Sequence, residues 1–209
     1  MARTKKNKGL VWMIIGAMLL IAALSLIFYN RYQDSQSGES AQEILTKLKE
    51  ELPMESATEE TSEQAKFEEE ETTEFVESTI EIDEEVYIGL LEIPCLQLEL
   101  PVCAVWNYGN LNVAPCRYSG NANDGNLVIA AHNFRTHFGR INELNSGDEI
   151  IFTGCDGTQI HYEVLQSELL DGTDVDKMLE DDELWDLTLF TCTLSGQNRV
   201  TVRAVEIKE

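Results

Sequence analysis

The sequence predicts an all-β fold, a closed or nearly closed barrel with short helices, set behind an N-terminal membrane-spanning helix and an acidic linker. Three observations lead there. Short runs that alternate apolar with polar residues recur from residue 86 to residue 209. Pro94, Pro101, Gly120, Gly125, Gly147 and Gly157 punctuate them at short intervals. Only residues 174–185 carry helical spacing there, with Val175, Met178 and Leu179 on one side. Seven or eight strands in roughly 120 residues are most simply closed into a barrel, which removes exposed edges.

Taken in order, the chain begins with Arg3, Lys5, Lys6 and Lys8, ahead of an uncharged apolar run over residues 10–29. Twenty residues make about 30 Å of helix, enough to cross a bilayer core. Positive charge before the span predicts a cytoplasmic basic tail, 1–9, a transmembrane anchor, 10–29, and an extracellular remainder, a single-pass type II arrangement. A cleaved signal peptide is the competing reading, because Ala23 begins a small-residue patch, but the apolar run is long for one. Residues 30–85 read as an acidic extracellular stalk. Within it Ala41, Ile44, Leu45, Leu48 and Leu52 follow helical spacing up to Pro53 and predict a short, marginal helix; a docking or self-association helix is the other reading. The stretch containing Glu68-Glu69-Glu70-Glu71 holds too few apolar residues to offset chain entropy, repels itself, and reads as an extended spacer. It is also the one segment available to fold back over a groove.

The domain proper runs over 86–209. Residues 87–93, 96–102, 127–131, 149–153 and 159–165 read as strands, with Asp156-Gly157 as a hairpin turn. Residues 187–192 and 198–205 form a second hairpin around Ser195-Gly196-Gln197. Parity places Thr188, Phe190 and Cys192 on one face of its first arm, and Arg199, Thr201 and Arg203 on one face of its second. If the two faces coincide, a thiol and a guanidinium line one groove.

The totals bound the function. With 209 residues and 43% hydrophobic content there is material for a packed core. The formal charge of −23 argues against nucleic acid as a partner, although much of it lies in the stalk. Cys95, Cys103, Cys116, Cys155 and Cys192 show neither a CxxC pair nor zinc-type spacing with the histidines, so no metal or other cofactor is expected. The odd count suits one working thiol and up to two disulfides of open pairing. A cysteine nucleophile attacks as thiolate and needs a base or cation beside it. Of the three histidines, His132 closes the apolar strand 127–131, which would fix its ring at a strand end; His137, in a polar loop, and His161, in a hairpin strand, read as structural or surface groups.

Several ordered stretches resemble one family. Thr188-Leu189-Phe190-Thr191-Cys192 matches the Thr-Leu-x-Thr-Cys signature of the sortases, with Asn198-Arg199 on the next strand. Asn126-Leu127-Val128-Ile129-Ala130-Ala131-His132 resembles their histidine strand, although Ala131 stands where many members have glycine. Ile88-Gly89-Leu90-Leu91-Glu92-Ile93-Pro94 and Phe138-Gly139-Arg140-Ile141-Asn142-Glu143-Leu144 resemble an early strand and a later loop. The resemblance covers residue 87 to the C-terminus and implies an eight-stranded barrel. It implies a Gram-positive cell-surface cysteine transpeptidase that cleaves a Leu-Pro-x-Thr-Gly type sorting signal through a thioacyl enzyme. The acyl group then passes to a cell-wall or pilin amine. On this resemblance Cys192 is the nucleophile, His132 the general acid and base, and Arg199 the oxyanion or substrate cation, with Arg203 as second choice for that last role. Sorting-signal-bearing surface proteins, the amine acceptor and the bilayer are the implied partners. Some sortases bind calcium, and Glu143, Asp148 and Glu149 lie near a suitable loop, where solvated carboxylates explain them equally well. Two rival readings stand beside this one: a hydrolytic cysteine peptidase on the same fold, and a non-enzymatic surface scaffold with a structural Cys192.

Overall fold

The computed structural model describes residues 4–53, 77–179 and 184–208. The Glu68–Glu71 run and the fold-back segment expected there lie outside the described residues. Helix α1, Thr4–Glu51, is one uninterrupted rod. Its apolar part from Leu10 to Tyr29 is exposed on all sides, and the helix is long and apolar enough to cross a membrane.

The second half of α1 differs from the expected stalk. Ile44, Leu45 and Leu48 are buried against the rest of the chain in the company of Ile82, Tyr87 and Leu90, and Ala41 is buried in the cluster that fills the barrel. The heptad-like stripe therefore has a tertiary partner, and that packing, rather than propensity, sustains a helix that would be marginal alone. Lys47 Nζ reaches Asp83 Oδ2 at 2.6 Å, and Lys49 pairs with Glu99. Helix α1 ends as expected at Pro53, after a last bond from Leu52 N to Leu48 O of 2.9 Å.

Nine strands follow: β1 Ile80–Ile82, β2 Glu85–Ile93, β3 Leu98–Cys103, β4 Cys116–Ser119, β5 Leu127–Ala131, β6 Glu149–Gly154, β7 Gln159–Asp171, β8 Leu187–Cys192 and β9 Asn198–Glu206. They run in the order β1-β2-β3-β4-β5-β8-β9-β7-β6, and β2 pairs back to β6. Eight strands thus close a barrel, and β1 extends it as a short flap. Its hairpin to β2 turns through Asp83 and Glu84, whose φ of 52° and 69° are the left-handed pair that a two-residue turn of this twist demands. Residues 80–85 are accordingly barrel structure, not stalk. Two short helices, α2 Tyr108–Leu111 and α3 Val175–Met178, lie in connections.

The barrel interior is filled by alternate residues: Leu91, Leu100, Val102, Leu127, Ile129, Tyr162, Leu187, Leu189, Val202 and Ala204. Burying each of the larger side chains contributes about 2 kcal/mol. Strand β5 is buried along both faces, which is why it reads as an unbroken apolar run. Its outer residues Val128 and Ala130 pack with Phe190 and Cys116 in a second layer.

The seam is tightest at Gly89, which is register partner to Gly154. A Cβ at position 89 would stand 2.1 Å from Thr153 O, at a φ of +156°. Substitution Gly89→Ala is expected to lower the unfolding free energy by about 1–3 kcal/mol, read as a drop in the urea midpoint at unchanged slope. An unshifted midpoint would mean the seam is slack.

Candidate active site

Register decides what parity left open. Strands β8 and β9 are antiparallel, with Thr188 opposite Arg203, Phe190 opposite Thr201 and Cys192 opposite Arg199. Directly opposed residues project to the same side, so the thiol and guanidinium share a face, the outer one. Strand β5 runs parallel on the other flank of β8, with Ala130 beside Phe190 and Ala131 beside Thr191. One residue further, the same register sets His132 beside Cys192, on the face of Ala130 and Phe190. Thr191 Oγ1 donates to Ala131 O at 2.8 Å and fastens the two strands just beneath. With Cys192 ending β8, Arg199 opposite it in β9 and His132 directly following β5, the three predicted residues form one row at this end of strands spaced about 4.8 Å apart.

Each member is held differently. Cys192, at the last position of β8, is half-buried, as are His132 and Arg199. His132 Nε2 lies 3.1 Å from Asn112 Oδ1, and its ring packs tilted against Phe134, at 4.9 Å and 45°. Burial holds its imidazole below the usual histidine range, so the ring is neutral at pH 7. Arg199 Nη1 donates to Gly196 O at 3.0 Å and Asn198 O at 3.2 Å, which fixes the guanidinium to the β8–β9 turn. A Cβ at Gly172 would come within 2.8 Å of that nitrogen, so the glycine leaves the arginine its room. Nearby Asp171 is kept below the usual carboxylate range, first by the Thr173 hydroxyl at 2.6 Å and its amide, with Arg199 adding to the effect.

Arg203, the second choice, is occupied elsewhere. It is 1% exposed and donates to Glu168 Oε1 at 3.1 Å, to Thr188 Oγ1 at 2.8 Å and to the carbonyls of Met178 and Lys177. Its guanidinium also lies 4.5 Å over the Trp185 ring.

The other thiols are poor nucleophiles. Cys103 and Cys116 are buried register partners, and their hydrogen bond together with burial pushes the Cys103 thiol far up; burial pushes Cys155 up to about 11. Cys95 is exposed but far from the row in sequence and strand order, and all five cysteines are free thiols.

A family model described as the Sortase domain matches residues 91–207. The chain belongs to the sortase family. A Sortase D5 transpeptidase of Clostridium perfringens superposes with a TM-score of 0.52 at 25% identity, over 58% of this chain and 79% of that one. Sortase A from Corynebacterium diphtheriae gives 0.53 at 25% identity, over 60% of this chain and 63% of its own. Sortase C1 from Streptococcus suis gives 0.51 at 25% identity, over 59% and 74%. No curated protein matches the chain. The protein is thus a transpeptidase of the sortase type, and the family's substrates are proteins bearing sorting signals.

The remaining histidines of this sortase serve structure. His161 Nδ1 is 2.8 Å from Glu149 Oε1 on the barrel surface. His137 is fully buried, and burial, with His132 close by, pushes it down to about 4. Of the carboxylates considered for calcium, Glu143 pairs with Arg140 at 2.8 Å, Asp148 Oδ2 accepts from Asn145 N at 2.8 Å, and Glu149 faces His161. Among the described residues no three His, Cys, Asp or Glu side chains gather into a group able to hold a metal ion.

Sequence reasoning missed two residues beside the row, one in contact with it and one behind that contact. Asn112 follows α2 and meets His132, while Ser37, from α1, donates its hydroxyl to Asn112 O and lies 3.1 Å from His137 Nε2. Asn112 sits in no periodic pattern, and Ser37 is a polar residue in line with the apolar stripe of α1 whose partner only the docking of that helix reveals.

Proposed function

We propose that this sortase cleaves an LPxTG-type sorting signal through a thioacyl intermediate on Cys192 and transfers the protein to a cell-wall or pilin amine. The observation that carries the reading is the single row of His132, just after β5, with Cys192 on β8 and Arg199 on β9. Neutral His132 takes the thiol proton, and the thiolate forms a bond to the scissile carbonyl carbon. Arg199, charged at every relevant pH, stabilises the developing oxyanion. The C–N bond breaks as His132 returns its proton to the leaving amine. The acceptor amine then attacks the thioester, loses a proton to His132 and expels the thiolate, which takes that proton from the imidazolium, so thiol and neutral imidazole are both restored.

The membrane arrangement follows the charge pattern. With Arg3, Lys5, Lys6 and Lys8 before the apolar run, the N-terminus lies in the cytoplasm and the barrel outside.

Mass spectrometry of the full chain incubated with a sorting-peptide library, with and without an amine acceptor, tests the reaction. An acyl adduct on Cys192 that the amine converts to ligated product is expected. Adduct discharged only to free acid would establish hydrolysis instead. Absence of any adduct, together with a Cys192 that resists a thiol reagent in the folded protein, would favour a scaffold.

Arg199→Lys is expected to lower kcat/KM about 100-fold, because a point charge cannot reproduce the planar donor fork. Steady-state kinetics with the identified peptide reads it, and wild-type turnover in that variant would remove Arg199 from the oxyanion role.

A further inference from the structure

We propose that Asn112 is a positioning residue for His132, and that Ser37, on the helix carrying the apolar span, holds Asn112 in place, so that docking of α1 completes the site. The inference rests on the role of His132 proposed above.

The contacts form a chain. Asn112 Oδ1 can only accept, so at 3.1 Å it calls for a proton on His132 Nε2 and leaves the Nδ1 lone pair for the thiol. The tilted Phe134 ring restricts the plane of the imidazole but not which nitrogen faces the row. The Asn112 side chain is open to solvent, where water competes for it, so its alignment depends on its backbone.

That backbone is gripped from α1. Ser37 is 5% exposed, and its one hydroxyl hydrogen goes to Asn112 O. Its oxygen is then free to accept from His137 Nε2, 3.1 Å away. One turn earlier, Asp34 Oδ1 accepts from Thr136 N at 3.2 Å and Thr136 Oγ1 at 2.8 Å. Helix α1 therefore clamps both segments that determine the His132 ring: residue 112, which bonds it, and residues 136–137, which continue its loop. Undocking the helix would give up the Ser37 hydrogen bonds to Asn112 O and His137 and open the buried His137 to water, a cost that opposes release.

The charged and titratable groups about His132 are Cys192 and Arg199 in the row and His137 in the same loop, and Asp34 on α1 acts on His137. A carboxylate in place of the Asn112 amide would add negative charge directly at Nε2 and favour the imidazolium.

The test uses the full chain in detergent micelles, with nitrogen-15 imidazole NMR of His132 across pH beside peptide kinetics. Asn112→Ala is expected to replace a single Nε2-protonated form by a tautomer mixture and to lower kcat about fivefold with KM nearly unchanged. Asn112→Asp should move the His132 titration and the acid limb of the kcat profile upward together. Ser37→Ala should show the same tautomer mixing to a smaller degree, and Thr46→Ala, on the exposed side of the helix, should show none. Thermal melts confirm that each variant is folded; should Asn112→Ala not fold, the near-isosteric Asn112→Asp carries the test. A His132 tautomer and titration unchanged in both Asn112 variants would overturn the positioning role, and an unchanged Ser37→Ala would overturn the part played by α1. The NMR readout needs no turnover, so a wild type that acts on no peptide would defeat the proposed reaction while leaving this inference to stand or fall separately.

Discussion

Cys192→Ala is expected to abolish peptide turnover, by at least about 10³-fold, while the barrel unfolds within about 1 kcal/mol of wild type. The activity loss follows from the row itself. Neither His132 nor Arg199 can form the covalent bond, and what remains is the stabilisation that the guanidinium and binding supply to attack by water. The small effect on stability follows from position. Cys192 is the last residue of β8 and half-buried, and the strand below it is anchored independently by Thr191 on Ala131 O. Single-turnover kinetics and a denaturant melt on the same preparation check both halves. Turnover within tenfold of wild type would transfer the nucleophile elsewhere, and a collapsed melt would make Cys192 a packing residue.

Arg203→Ala is expected to lower the unfolding free energy by about 3–5 kcal/mol. The side chain is almost wholly buried and serves several partners at once: Glu168, the Thr188 hydroxyl, the carbonyls ending α3 and the Trp185 ring. Truncation leaves the Met178 and Thr188 oxygens without their donor and Glu168 without its counter-charge, and opens a void beneath Trp185. Chemical denaturation followed by tryptophan fluorescence measures it. A loss below about 1 kcal/mol would show that water or a neighbouring cation replaces the guanidinium. The contrast with Arg199, two register positions along the same face, is that between a residue consumed by folding and one left at the rim.

That contrast also shows where the sequence stops being informative. Alternation put Arg199 and Arg203 on one face, and register confirmed it, but parity does not say what covers a face; Lys177, Met178 and Trp185 bring the cover to Arg203. The hairpin 187–205 and strand β5 were legible because their two-residue period or apolar continuity reflects burial. Strand β4 was not: Cys116-Arg117-Tyr118-Ser119 has no apolar alternation, and its Arg117 serves Ala104 O and Glu77. Strand β7 runs on to Asp171 past a bulge between Val164 and Gln166, which breaks the alternation where the expected strand ended. The row of three was readable through its signature, whereas the Asn112 and Ser37 contacts depend on a helix from a distant part of the chain. An apolar stripe at Ala41, Ile44, Leu45 and Leu48 announces that something will be covered, without naming the surface.

The uninterrupted α1 rod sets a height. Ser37 lies eight residues, about 12 Å of helix, beyond Tyr29 at the end of the apolar run. With that run seated in a bilayer, the cleft rides just above the lipid headgroups like a gauge on a fixed post, and the barrel cannot swing out on a leash of tens of ångströms. The proposed reaction would then take place at a fixed distance from the end of the apolar run, set by the rise of the helix and not by the slack of a linker.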